Sequence, residues 1–261
     1  MSYTNYLINT ILMITTVYHL LNIIPIAFSI DDTELDHICL PSNKKFTSSY
    51  NESRALVVID VIINTASHQG FRNASYTWFR NSSSTLDDPD EWCYGLAQCR
   101  GDVSADDCKT CVNNATITLI NTTHCPHRRS AIIWRDYCLF KYSDVDFFGI
   151  IDTGNMFSST GDSTWILGSS SDEVKNLMDS LQETAIATPV LYASGNVKFS
   201  DDPIDPRPTT TVYGLVQCTR DLSKDNCEAC LGSAIGKLTT LKQGGRVVYG
   251  SCNVRYETYP L

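Results

Sequence analysis

Apolar residues recur at Val174, Leu177, Met178, Leu181 and Ala185, the i, i+3, i+4, i+7, i+11 spacing that lines one face of an amphipathic helix. Ser170 and Glu173 stand where a capping box would open that helix. The stretch 53–66 is richer in β-branched residues, yet its Thr65-Ala66 answers to Thr184-Ala185 at a constant offset, so it too is predicted helical. A strand is expected next in each half, over 92–99 and 211–218. A second helix then follows, opened by Ser104 or Ser223 with an acceptor side chain three residues on. In the second half this helix places Cys227, Cys230, Leu231 and Leu238 on one face. Two β-rich runs close each half, 131–134 with 138–142 and 246–249 with 252–256. The predicted unit is α+β, two helices packed on one antiparallel sheet. The other sheet face is left for solvent or for the sister unit.

The same offset carries a cysteine pattern. Tyr94-Gly95-Leu96-Ala97-Gln98-Cys99 matches Tyr213-Gly214-Leu215-Val216-Gln217-Cys218, and each opens Cys-x8-Cys-x2-Cys: Cys99, Cys108, Cys111 and Cys218, Cys227, Cys230. The chain therefore reads as two tandem disulfide-stapled domains, 31–144 and 157–261, joined by a linker over 145–156. Residues 1–30 carry no formally charged side chain, and an apolar run from Leu7 ends in Ala27-Phe28-Ser29. This reads as a signal peptide, 1–29, rather than a membrane span, because His19, Asn22 and Pro25 interrupt it. No later stretch is long and apolar enough to span a bilayer, so neither a membrane anchor nor a kinase is expected.

Eleven cysteines behind a signal imply disulfides formed in an oxidising compartment, hence an extracellular protein. Five N-x-S/T sequons, at Asn51, Asn73, Asn81, Asn114 and Asn121, agree with that location. All five lie in the first half, so glycans would cover it and leave the second half as the contact surface. The net charge of -9 excludes nucleic acid or an anionic membrane as the expected partner. His127-Arg128-Arg129 is a local basic patch, read as an exposed turn. The pairs Asp31-Asp32, Asp87-Asp88 and Asp201-Asp202 read as solvated turns.

A Cys-x2-Cys pair suits a zinc half-site or a redox pair. However, the second half offers four cysteines and no histidine, and His124-Cys125-Pro126-His127 leaves two histidines without a third ligand once Cys125 is bridged. No metal or cofactor is expected. Nor is an enzyme: the histidines after the signal, His37, His68, His124 and His127, sit in polar, loop-like contexts with no nucleophile arranged beside them.

With its Tyr-Gly-Leu-x-Gln-Cys approach and closing segments such as Trp134-Arg135-Asp136-Tyr137-Cys138, the chain resembles the plant cysteine-rich repeat secretory proteins, whose domain is that of ginkbilobin. The resemblance covers nearly the whole mature chain. It implies the bridges Cys39–Cys125, Cys99–Cys108 and Cys111–Cys138 in the first domain, and Cys218–Cys227 and Cys230–Cys252 in the second. There the partners of the third bridge fall near Ser158 and Thr239 and are both missing. The lost bridge would close a long loop worth about 4–5 kcal/mol, so the second domain is expected to lean on the first. Cys93 is left over and takes the place of Val212. It reads as a small buried side chain, with a disulfide-linked dimer as the sharper alternative to a monomer.

The resemblance also implies a sugar site built from an Asn after the first cysteine, an Arg and a Glu. The first domain has Leu40, Ile132 and Ser143 at these places. The second keeps Arg246 and Glu257, with Asn155 near only in sequence. The rival reading makes Arg246 and Glu257 a cross-strand ion pair on a hairpin. Two functions follow. One is a noncatalytic apoplastic protein of defence or stress signalling, contacting a cell-surface receptor or wall component. The other is an antifungal lectin holding a mannose-containing glycan through its second domain. The glycan expectation is checked by intact-mass analysis of the secreted protein, which should exceed the polypeptide mass; a bare polypeptide mass would remove it.

Overall fold

In a computed structural model of the chain, covering residues 32–77, 91–120, 124–202, 204, 207 and 209–261, the two cysteine repeats build two sheets of identical topology. The first half runs β1 (Glu34–Leu40), α1 (Ser48–Asn64), β2 (Phe71–Thr77), β3 (Trp92–Cys99), α2 (Ala105–Ile120), β4 (Ser130–Arg135) and β5 (Cys138–Ser143). The second runs β6 (Met156–Thr160), α3 (Ser169–Ile186), β7 (Tyr192–Phe199), β8 (Thr210–Cys218), α4 (Lys224–Lys237), β9 (Gly244–Tyr249) and β10 (Cys252–Glu257). The antiparallel orders are β1-β4-β5-β3-β2 and β6-β9-β10-β8-β7. The signal segment, Asn81, Asn121, Asp31 and Asp87-Asp88 lie outside the described residues. Among the described residues no helix is long and apolar enough to cross a membrane.

The Cys-x8-Cys-x2-Cys spacing has a geometric reason. Cys99 pairs in register with Cys138 at the ends of β3 and β5, and Cys218 with Cys252 at the ends of β8 and β10. The helix that follows presents two cysteines at i and i+3, on one face, and each reaches one strand: Cys99–Cys108 and Cys111–Cys138, then Cys218–Cys227 and Cys230–Cys252. Cys39–Cys125 ties β1 to the segment before β4, across 86 residues. Where the second half lacks that bridge, hydrogen bonds do its work. The Trp165 indole donates to the Thr240 carbonyl at 2.9 Å, and the Tyr256 hydroxyl lies 2.7 Å from the carbonyls of both Thr239 and Lys242.

The repeated Tyr-Gly-Leu-x-Gln-Cys strand faces two ways, as a period of two requires. Its Gly, Ala or Val, and Cys turn to the helices. A Cβ on Gly95 would stand 2.1 Å from Val57 of α1, so only glycine lets the helix settle this close. Its Gln turns the other way. There Ile132 and Trp134 of the first sheet and Val248 of the second form an apolar cluster with Leu35, Ile38, Leu139 and Phe157. The face that the sequence left for solvent or the sister unit is thus shared between the two sheets, and Thr33–Leu261 is one compact unit. The connection is bonded into this unit: Gly149 N–H donates to Asp221 and Asp152 N–H to Ser251, both at 2.9 Å. Met156, expected in the linker, is the first residue of β6.

Several local expectations give way to longer-range contacts. Ser170 and Glu173 form no capping box. Instead the Asp201 carboxylate accepts from the backbone of Ile166 and Leu167 and from the Ser170 hydroxyl, capping α3 from a distant loop. Asp201 is therefore buried rather than a solvated turn. Arg129 is buried as well, lying over the Tyr50 ring and donating to Asp144, rather than sitting in an exposed basic turn.

Cys93 is fully buried, with its sulfur 3.4 Å from the Tyr50 hydroxyl. Burial pushes its thiol up to about 12, against smaller lowering contributions from the Tyr50 hydrogen bond and from Arg54 and Arg129. The disulfide-linked dimer is corrected accordingly, since the sulfur cannot reach another chain in the folded state. The expected outcome of iodoacetamide labelling is no adduct on the native protein and one per chain in denaturant. Rapid native labelling at Cys93 would contradict this packing.

Candidate functional site

The two residues singled out for sugar binding lie on the shared faces of the sheets. Arg246 on β9 pairs in register with Arg255 on β10, and Glu257 pairs with Gly244. All three side chains project on the face opposite the helices. Arg246 is 5% exposed, and its Nη2 donates to Asp136 of the first half at 2.6 Å. Arg255 reaches the same Asp136 oxygen at 3.5 Å, donates from Nε to Glu257 at 3.0 Å, and from Nη2 to the Tyr259 hydroxyl at 3.0 Å. Thr33 donates to the second Asp136 oxygen at 2.7 Å.

Among the described residues, Arg246 and Glu257 form no salt bridge with each other, so the hairpin ion pair is corrected: each takes a different partner. The arrangement is an electrically balanced row of two guanidiniums and two carboxylates, set where the halves meet. Burial raises the Asp136 pKa, but the charges of Arg246 and Arg255 and the Thr33 hydrogen bond more than offset this and hold it below the ordinary aspartate value. Burial, with the like charge of Arg255, lowers that of Arg246 against the pull of Asp136.

The rest of the contact repeats the same logic about an approximate twofold axis. Gln98 Nε2 donates to the Cys218 carbonyl at 2.7 Å, and Gln217 Nε2 to the Cys99 carbonyl at 3.1 Å, so equivalent glutamines reach across to equivalent cysteines. Lys141 occupies in the first half the place of Arg255 and donates to the Gly250 carbonyl at 2.8 Å. Burial lowers its pKa, opposed by Asp221 and Asp152. The Trp134 indole donates to the Tyr249 carbonyl at 3.0 Å. Neither glutamine was marked from sequence, although their repetition beside the first cysteine of each Cys-x8-Cys-x2-Cys was visible there.

The remaining expected positions disperse. Asn155 is bound to Asp152 at 3.0 and 2.9 Å and its carbonyl accepts from Gly250. Leu40 and Ser143 line a cleft with Pro41, Ser42, Lys44 and Asp144, while Ile132 belongs to the buried inter-sheet cluster. Asn51 and Asn114 are exposed on α1 and α2, and Asn73 is half-buried on β2. His37 lies in strand β1 rather than in a loop, close to His124, whereas His127 turns to the Phe46 ring.

Comparison with known proteins places this geometry. The model of the family described as salt stress response/antifungal matches residues 38–145 and 168–259. The chain belongs to that family. It is 46% identical over 175 residues to the antimicrobial ginkbilobin-2-like protein of Castanea crenata, covering 64% of this chain and 67% of that one. To cysteine-rich repeat secretory protein 38 of Arabidopsis thaliana it is 40% identical over 177 residues, 64% of each. The chain thus spans about two thirds of the length of these relatives. Its fold matches the crystal structure of the tandem DUF26 ectodomain of the Arabidopsis thaliana receptor-like protein PDLP5, with a TM-score of 0.65 at 22% identity, over 86% of this chain and 98% of that one. The protein is a secreted, disulfide-bonded, cysteine-rich repeat protein of two tandem α+β units.

The charge row gives the contact a pH dependence. Asp136 has a lowered folded pKa, so its contribution is complete above the ordinary value of 3.8 and is lost as the pH falls through the lower folded value. Asp136→Asn should cost about 2 kcal/mol at neutral pH, the cost of breaking a buried pair discounted for partial exposure. It should also flatten the fall in melting temperature on acidification. Thermal melts from pH 6 to pH 2 measure both, and parallel curves for wild type and variant would contradict the assignment.

Proposed function

We propose that the protein is a noncatalytic extracellular interaction protein, acting in apoplastic defence or stress signalling, rather than a lectin. The observation that carries this reading is the burial of Arg246 against Asp136. A guanidinium spent between two sheets is not presented to a hydroxyl-rich ligand. The companion Asn155 is bound within the connection, and Glu257 is engaged by Arg255. The first half has Leu40, Ile132 and Ser143 in these places, none of which supplies the charged donors and acceptors that orient adjacent sugar hydroxyls.

The defence setting is supported by the family description and by the antimicrobial naming of the chestnut relative. The partner is a cell-surface receptor or wall component. It meets the outer surface of the second half, residues 157–261, which carries no sequon, while all five sequons lie within residues 31–144. The odd cysteine is enclosed, so a disulfide through it has no part in that contact.

A mannan pull-down and a glycan array run with wild type and Glu257→Ala should give no signal with either protein. Retention of the wild type that the substitution abolishes would restore the lectin reading and overturn this one.

A further inference from the structure

Glu34 and His37, three residues apart on β1, meet His124, distant in sequence, at the outer edge of the first sheet. In a regular strand residues three apart point to opposite faces. The ladder between β1 and β4, however, shifts register between Glu34 and Asp36, and a bulge of this kind re-aims side chains. As a result Glu34 and His37 share a side. His37 Nδ1 lies 2.9 Å and His124 Nε2 3.2 Å from the same oxygen, Glu34 Oε1. The two imidazole rings stand 4.1 Å apart between centroids, and all three ligand atoms fall within 4.8 Å of one another.

We propose that Glu34, His37 and His124 form a binding site for one divalent transition-metal ion of zinc type. Two imidazoles and one carboxylate are the donors that suit Zn2+. Bonds of about 2.0–2.1 Å in a tetrahedral shell put ligand atoms about 3.4 Å apart, so spacings of 2.9 and 3.2 Å need only a slight opening to admit the ion. The ion replaces the hydrogen bonds now made at Glu34 Oε1, each histidine ligating as the neutral imidazole with its N–H on the other ring nitrogen.

The Cys39–Cys125 bridge is what makes the site ready before an ion arrives. Cys39 is two residues from His37 and Cys125 is next to His124, so the disulfide fixes both histidine-bearing backbones against each other. Little ordering then remains for the metal to impose. The three side chains are 34%, 27% and 21% exposed for His37, Glu34 and His124, which gives the ion an entry path and lets water complete the shell. The second half has neither histidine nor the corresponding disulfide, so the stoichiometry is one per chain.

The test uses the full, untagged secreted chain with its disulfides intact, stripped with EDTA and titrated calorimetrically with ZnCl2. One equivalent should bind to wild type and to His68→Ala. Glu34→Gln and His124→Ala should each weaken binding by at least about 100-fold, more than the loss of an outer-shell partner causes. Circular dichroism melts without metal confirm that each variant folds, and Glu34→Gln keeps side-chain volume should His124→Ala not fold. Absence of binding to wild type, or binding undiminished in both Glu34→Gln and a folded His37→Ala, would overturn the proposal.

Discussion

Gln98 and Gln217 each precede the cysteine that ends a strand, and each crosses to donate its side-chain amide N–H to the carbonyl of the other half's equivalent cysteine. Much of the molecule follows from this exchange. Buried amides must be hydrogen-bonded or cost about 1–3 kcal/mol each, so once the apolar faces around Trp134, Ile132 and Val248 meet, the polar groups among them require matched partners. Lys141 finds the Gly250 carbonyl and Arg246 finds Asp136. The contact is self-complementary because the two halves are alike, and imperfectly so because Lys141 faces a carbonyl where Arg255 faces a carboxylate.

This constraint decides the fate of the residues that looked functional. An arginine on a sheet face open to solvent could meet a ligand, whereas the same arginine between two sheets must be neutralised by the protein itself. Asp136 supplies that charge and has its pKa lowered in return. The disulfides act on a different level. Four of them fasten a helix to its own sheet, and Cys39–Cys125 alone ties an edge strand, β1, to the approach of β4. In the second half Trp165, Tyr256 and the Asp201 cap hold the corresponding region through hydrogen bonds, each weaker than a covalent closure.

The helices, the strands ending at the cysteines and the α+β class were legible because period and repeat agree at those places. The span Trp92–Cys99 is the predicted one to the residue. The outer strands β1, β2, β6 and β7 were not, since edge strands with mixed exposure, such as Tyr192–Phe199, carry no clean alternation. The site residues were legible only as types. Arg246 and Glu257 stand at the anticipated positions, but their partners, Asp136 and Arg255, depend on which sheet face meets which, and no local pattern states that. The triad of Glu34, His37 and His124 was hidden for a similar reason: a strand bulge and an 86-residue disulfide loop bring it together.

We propose that the second half depends on its contact with the first, and thermal unfolding of a fragment spanning residues 150–261 measures that dependence. The inter-sheet face would then expose Val248 and Phe157 and leave Arg246 without Asp136. Circular dichroism should show no cooperative transition near that of the full protein. A cooperative melt of the fragment at the full protein's midpoint would contradict the account.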